Sequence, residues 1–251
     1  VSLNDGQRRR YARNISLAGI GEAGQQKLLA ARVLVVGAGG LGSPAIAYLA
    51  AAGVGHIGIV EYDRVELSNL QRQILYENGD IGRMKTQAAR DRVQEMNPDV
   101  QVTLHEEKLT SANASAMVAA YDSVADGCDN FATRFAVNAA CHNAGKPLVS
   151  AAVRGYDGQV ALFKSYLGAP HPCYRCFVSG APDDERGCAD VGVLGAFAGM
   201  VGSMQALEVI KELLGIGESL SGKLLQIHAL DFRTRTIHIP RDHKCECCGN
   251  G

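Results

Sequence analysis

An α/β fold with a mostly parallel sheet is what this sequence predicts, and three observations predict it. First, the β-branched run Arg32-Val33-Leu34-Val35-Val36 enters a glycine cluster, Gly37-Ala38-Gly39-Gly40-Leu41-Gly42, and an apolar helical pattern (Ile46, Leu49, Ala50, Val54) leaves it. That is strand, tight turn, helix. Second, strand-like and helix-like runs alternate from there to about residue 153, the order that buries a parallel sheet between helices on both faces. Third, the texture changes after Gly158, where extended runs suit antiparallel pairing and cysteines gather. The expectation is a Rossmann-like sheet extended by antiparallel strands and a four-cysteine zinc site.

Taken in order, Leu3 to Leu29 has helical spacing interrupted at Gly19 and Gly21, which predicts two short helices. Its basic cluster, Arg8, Arg9, Arg10 and Arg13, reads by itself as a solvated face. Strands are predicted at His56 to Glu61, Val100 to Leu104, Asp122 to Ala125 and Pro147 to Val153. Helices are predicted between them, at Arg83 to Met96, Ala112 to Ala120 and Phe131 to Ala144. Asn97-Pro98 stops the first of these, because the residue before proline is pushed out of the α region. A Tyr156-Asp157-Gly158 turn introduces a strand from Gln159 to Lys164, and Gly180 to Gly192 reads as loop. A long apolar helix, Leu194 to Leu214, precedes an antiparallel pair, Leu224 to Leu230 and Thr234 to Ile239. With no repeat and no low-complexity linker, 1–251 reads as one continuous domain whose nucleotide-binding core lies at about 30–150.

Composition narrows the function classes. The chain has 251 residues, 47% hydrophobic and 20% charged, with a net charge of −1. A balance so close to neutral gives no reason to expect nucleic acid or an anionic membrane as the main partner. No charged-then-apolar leader is seen at Val1 and no apolar run nears 18 residues, so a cytoplasmic protein is expected. In that setting eight cysteines point to metal or thiol chemistry rather than to a disulfide scaffold.

The glycine turn predicts a nucleotide site, because residues without Cβ let backbone N–H groups approach a phosphate at a helix N-terminus. Gly37-x-Gly39-x-x-Gly42, with the acid Glu61 ending the next strand and positioned for a ribose, taken alone fits an NAD or FAD site ahead of another nucleotide or a purely structural turn. The next stretch separates them. Asp63 to Gln73 is a long polar loop that a simple crossover does not need, and it brings Asn69, Arg72 and Gln73 to the same strand ends. Lys85 follows on the first turn of the next helix. An arginine fork and a lysine point charge suit a triphosphate, which carries more charge than a dinucleotide. In Asp126-Gly127-Cys128-Asp129-Asn130, Asn130 can cap the following helix while Asp129 holds Mg²⁺.

Two C-x-x-C pairs, Cys173/Cys176 and Cys245/Cys248, have the spacing of a tetrahedral all-thiolate zinc site, with Cys247 a possible competitor. Cys188, beside Arg186, is either a nucleophile or sulfur acceptor or a spare thiol. Cys128 and Cys141 read as small buried residues.

With these residues assembled, the chain resembles the ubiquitin-activating-like adenylyltransferases of the HesA/MoeB/ThiF family, which activate bacterial sulfur carriers. The molybdopterin-synthase branch is nearest and the thiamine-pathway branch close behind. The resemblance runs from Arg10-Tyr11-Ala12-Arg13 to Cys245-Glu246-Cys247-Cys248-Gly249 and rests on GAGGLGS, SNLQRQ, the lysine twelve positions after Gln73, CDN, CYRC and the terminal cysteine pair. It implies the form without a rhodanese-like extension after Gly251.

Several roles are implied by that resemblance. Gly37, Gly39, Gly40, Leu41 and Gly42 contact ATP, and Glu61, where the family usually has aspartate, holds the ribose with Asp63 beside it. Asn69, Arg72, Gln73 and Lys85 line the phosphate path, and Asp129 serves Mg²⁺ and catalysis next to Asn130. Arg13 reaches the triphosphate of the neighbouring subunit in a homodimer. Cys188 aligns with a cysteine that the thiamine-pathway relatives use in sulfur transfer. The implied substrate is the Gly-Gly C-terminus of a small ubiquitin-like carrier of the MoaD or ThiS type, bound by the zinc-bearing part at about 151–251. Sulfur comes later from a separate donor, a cysteine desulfurase or a rhodanese. Two competing readings are weighed against this one: a nicotinamide- or flavin-dependent oxidoreductase, and a non-catalytic nucleotide-binding scaffold. The first leaves the SNLQRQ loop and Lys85 unexplained.

Overall fold

A computed structural model describes residues 2–180 and 192–249. Cys188, and with it most of the predicted 180–192 loop, lies outside the described residues. The frame is an eight-stranded sheet of order β3-β2-β1-β4-β5-β6-β7-β8. β1 (Arg32–Val36), β2 (His56–Val60), β3 (Gln101–His105), β4 (Ser123–Asp126) and β5 (Leu148–Arg154) run parallel. β6 (Asp157–Phe163), β7 (Lys223–His228) and β8 (Thr234–His238) continue the sheet antiparallel, in the hairpin register Arg154↔Asp157 at the first turn.

Alternation along β1 shows how the layers are built. Val33 and Val35 enter one apolar cluster, and Leu34 and Val36 enter the other. The first cluster is covered by α3 (Gly21–Ala30), α4 (Gly42–Ala52), α5 (Lys85–Met96) and α9 (Gly195–Leu214). The second is covered by α6 (Ala114–Ala119), α7 (Phe131–Ala144) and the short α8 (Tyr174–Phe177). A strand buried on both faces must be apolar at every position, which is why Val33-Leu34-Val35-Val36 lacks polar alternation. The crossover after β1 leads outward to β2 and β3, whereas β4 lies on its other side. The strand order therefore reverses between β1 and β4, and a crevice opens there at the C-terminal strand ends. Gln205 of α9 fixes the helix across this frame, donating from Nε2 to the Asp126 and Val149 carbonyls, each at 2.9 Å.

The N-terminal segment corrects the expectation of two helices, because the chain forms three: α1 (Asp5–Arg10), α2 (Ala12–Ile15) and α3. The additional break falls at Tyr11, which is buried and receives a hydrogen bond from Asn97 Nδ2 at 2.9 Å. That inward anchor outweighs continuation of a helix whose neighbours are arginines. Among the described residues no helix is long and apolar enough to cross a membrane.

Candidate active site

The glycine turn opens the site. Gly37 has φ +89°, a left-handed conformation that side chains rarely adopt, and a Cβ on Gly42 would run into the Gly37 carbonyl oxygen. The turn folds back on itself so closely that the first residue of α4 has no room for a methyl group. It forms one wall of a cavity of about 1050 Å³ that also takes in the ends of β2 and β4. Gly37, Gly39, Gly40, Leu41, Glu61, Asp63, Asn69, Arg72, Gln73, Lys85, Asp129 and Asn130 all line it. Gly42 lies beneath the turn rather than on the cavity wall, and Arg13, exposed on α2, is not among the lining residues of its own chain.

The long loop after β2 is pinned at both ends. Val65 N–H donates to the Arg83 carbonyl at 2.9 Å, and Lys85 N–H donates to the Asp63 carbonyl at 3.0 Å. This closure returns the start of α5 to the end of β2. Lys85 Nζ consequently lies 3.3 Å from Asp63 Oδ2 and 3.9 Å from Glu61 Oε2 while remaining buried. Arg72 lies across Gly40, held by a 3.0 Å bond from Nη1 to the Ser68 carbonyl. Asn69 Oδ1 accepts from Glu66 N–H at 3.2 Å, which shapes the turn that carries Arg72. Gln73 is buried, and its Oε1 has no hydrogen-bond partner among the described residues.

Glu61 adds a constraint that its position in sequence does not reveal. Its carboxylate accepts from Ala38 N–H at 3.1 Å and from Tyr62 and Asp63 N–H at 2.9 and 3.1 Å. Three of its roughly four acceptor positions are thus used in tying the glycine turn to β2. Tyr76 reinforces the same turn through a 2.8 Å bond from its hydroxyl to the Ala38 carbonyl. Burial, then the charge of Glu61, pushes that phenol far above its ordinary value, so it remains a donor.

At the end of β4, Asn130 caps α7 by accepting from Thr133 N–H at 2.9 Å, while Asp129 is exposed at the cavity wall. Burial, then the Asp126 charge, pushes the Cys128 thiol well above its usual range, which makes it a poor nucleophile. Arg134, which no motif of the sequence marks, is a buried side chain of the cavity wall. Its Nη2 donates to the Cys128 carbonyl at 2.5 Å and its Nη1 to Asp126 Oδ2 at 3.3 Å. The available signal was a basic residue one turn beyond the Asn130 cap, where its fork can reach back to a strand-end acid.

The two cysteine pairs meet. The sulfur atoms of Cys173, Cys176, Cys245 and Cys248 all lie within 4.8 Å of one another. Cys173 is 3.6 Å from Cys245, Cys176 is 3.4 Å from Cys248, and Cys173 and Cys176 are 4.0 Å apart. Zinc–sulfur bonds of about 2.3 Å in a tetrahedron put sulfurs about 3.8 Å apart, so the four fit one metal ion. Cys247 stands outside the tetrad and accepts from Asn138 Nδ2 at 3.3 Å. Hydrogen bonding from Cys247, working against burial, lowers the Cys173 thiol below its ordinary range, the direction a metal-ligating thiolate needs. Arg241 braces the cluster by donating to the Ser165, His171 and Cys248 carbonyls.

Comparison with known proteins matches residues 11–247 to the ThiF family. The sulfur carrier protein adenylyltransferase of Thermus thermophilus is 46% identical over 245 residues, which are 96% of this chain and 90% of that one. The SAMP-activating enzyme E1 of Haloferax volcanii is 43% identical over 253 residues, covering 100% of this chain and 92% of its own. The adenylyltransferase and sulfurtransferase MOCS3 of Culex quinquefasciatus is 47% identical over 251 residues, but this chain spans only 56% of its length. Among solved structures, Escherichia coli MccB with ATP superposes with a TM-score of 0.83 at 22% identity, covering 98% of this chain and 75% of that one. At that identity the likeness is one of fold.

Proposed function

This chain belongs to the ThiF family and is an adenylyltransferase, and from that premise we propose that it joins AMP to the C-terminal glycine of a small ubiquitin-like sulfur carrier. The carrier is of the MoaD type, in the molybdopterin branch; the same reaction on a ThiS-type carrier is the alternative. The observation that carries this reading is the convergence of the glycine turn, Arg72, Lys85 and Asp129 on one cavity at the switch point of the sheet. A dinucleotide does not need that density of charge.

In this reading an oxygen of the carrier's glycine carboxylate attacks the α-phosphorus of ATP. The bond to the β-phosphate oxygen breaks, pyrophosphate leaves, and the acyl-adenylate is the product. A carboxylate is already a nucleophile, so no general base is required. The obstacle is repulsion between two anions, and charge neutralisation with alignment is how phosphoryl chemistry overcomes it. Lys85 and Arg72 supply fixed positive charge along the phosphates, and the backbone N–H groups of the turn seat them. Asp129 would hold Mg²⁺, which when bound neutralises phosphate oxygens. Arg13 would act in the cavity of a second copy, which fits its place outside its own. The tetrad would hold Zn²⁺, which four thiolates at tetrahedral spacing suit.

The proposed protein works in the cytoplasm as one 1–251 domain in a homodimer. It hands the activated carrier to a separate sulfur donor. The test is exchange of labelled pyrophosphate into ATP, which should require Mg²⁺ and a Gly-Gly-ended carrier. Asp129→Ala should abolish it while the protein stays folded. Running MoaD-type and ThiS-type carriers side by side assigns the branch. Exchange that survives Asp129→Ala removes that residue from the mechanism, and saturable NAD binding without ATP binding would favour an oxidoreductase.

A further inference from the structure

The peptide that carries Asp129 into the cavity is clamped from behind. Cys128 N–H donates to Asp126 Oδ1 at 3.0 Å, and the Cys128 carbonyl accepts from Arg134 Nη2 at 2.5 Å. Both polar ends of Cys128 are therefore held by one buried ion pair, Asp126 with Arg134. The guanidinium is in turn fixed by donating to Ser150 Oγ and to the Ala151 carbonyl, each at 2.9 Å. With the peptide before Asp129 held at both ends and Asn130 fixed as the α7 cap, the chain has little freedom to turn Asp129 away.

Behind the guanidinium lies the cysteine cluster. Arg134 Cζ stands 5.9 Å from the centre of the Tyr174 ring, within the range of a cation–π contact. Tyr174 sits between two of the metal-ligating cysteines, in Cys173-Tyr174-Arg175-Cys176. Its N–H donates to Asn138 Oδ1 at 2.7 Å, and Asn138 Nδ2 donates to Cys247 Sγ at 3.3 Å. Arg134 and Asn138 are four residues apart on α7, so they stack along one face, with Asn130 capping the helix at the cavity end. That face connects the cavity at one end to the cluster at the other.

We propose that Arg134 is a positioning residue for the adenylation site, and that the metal cluster reaches Asp129 through it by seating the Tyr174 ring against the guanidinium. The cluster then does more than clip the C-terminal tail to the middle of the chain. Its occupancy holds the clamp that aims the Mg²⁺-binding acid. This rests on the adenylation reading, and the Tyr174 ring is the contact with the guanidinium that can be altered without touching a cysteine or the cavity's charges.

The test uses the full chain with its metal and two observables. In the first, amide hydrogen exchange reads the Cys128 N–H, whose bond to Asp126 is part of the clamp. Tyr174→Leu, with metal content measured as unchanged, should speed that exchange about tenfold. Tyr174→Phe, which keeps the ring, should leave it as in the wild type. Stripping the metal with a chelator should speed the wild type similarly and add little to Tyr174→Leu. In the second, calorimetry reads ATP affinity with and without Mg²⁺. Affinity without Mg²⁺ should stay within about twofold, while the gain from Mg²⁺ should shrink about tenfold in Tyr174→Leu and Arg134→Lys. Neither variant should add to the loss already present in Asp129→Asn, since residues acting through one group are not additive. Wild-type exchange at Cys128 in Tyr174→Leu overturns the proposal, and so does an undiminished effect in the Asp129→Asn background. A wild-type protein that binds no ATP would instead refute the adenylation reading, and the exchange measurement would still decide the clamp.

Discussion

Replacing Lys85 by methionine separates a structural role for this side chain from a chemical one, because the two predict different magnitudes. Lys85 is 5% exposed. Its partner at 3.3 Å, Asp63, has a side chain 55% exposed, so solvent screens that pair to about 0–1 kcal/mol. The second carboxylate, Glu61 at 3.9 Å, already accepts three backbone N–H groups and keeps its charge compensated without the lysine. Against these losses, methionine removes a desolvation penalty of several kcal/mol that a buried ammonium carries. The removed penalty outweighs the lost pairing, and urea denaturation of Lys85→Met should show no loss of stability against the wild type. The chemical step has no such compensation. Losing one preorganised charge at a developing anion costs about 3–4 kcal/mol, or about 100- to 1000-fold in rate. Pyrophosphate exchange measured on the same preparation should fall by that factor. A folded variant that exchanges within about threefold of the wild type would show that Lys85 is a counter-ion for Asp63 and Glu61 and would refute the argument.

Mixing Arg13→Ala with Asp129→Ala, each inactive alone, should restore about a quarter of wild-type exchange through random pairing of subunits; no recovery would place Arg13 outside the partner's site. Gly42→Ala drives its Cβ into the Gly37 carbonyl oxygen and should cost about 1–3 kcal/mol on unfolding, with ATP binding lost in calorimetry as the turn opens. A fully stable variant with unchanged affinity would contradict the close approach. Burial first, and Arg32 second, hold the His56 imidazole below its ordinary value, and burial does the same to His105. Each of these groups takes up its proton first in the unfolded chain, so stability should fall as the pH drops through about 6.5. Urea midpoints at about pH 7.5 and 5.5 should show the loss, and a His56→Gln, His105→Gln double variant should show less of it.

The local elements were legible in the sequence because their causes are local. Val33 to Val36 is apolar at consecutive positions, which predicts a strand buried on both faces, and the strand is there. Asn130 and Gly145 bracket α7 as its caps, and Pro98 ends α5 close to where it was predicted. Tyr11 was not legible as a helix break, because its partner Asn97 lies 86 residues away. Nor was Arg134, whose clamp joins β4, α7 and β5, elements that sequence spacing does not relate.

By itself, the sequence determined the α/β class, the glycine turn, the set of polar residues at the strand ends and the two cysteine pairs. Each of these is a matter of residue type at short spacing. The tertiary structure decided that three backbone N–H groups occupy Glu61, that Lys85 returns to Asp63, and that Arg13 stands apart from its own cavity. It also decided that the cysteine cluster abuts the helix behind Asp129. Those relations depend on where distant segments meet, and burial, strand order and loop closure set that meeting only once the whole chain has folded.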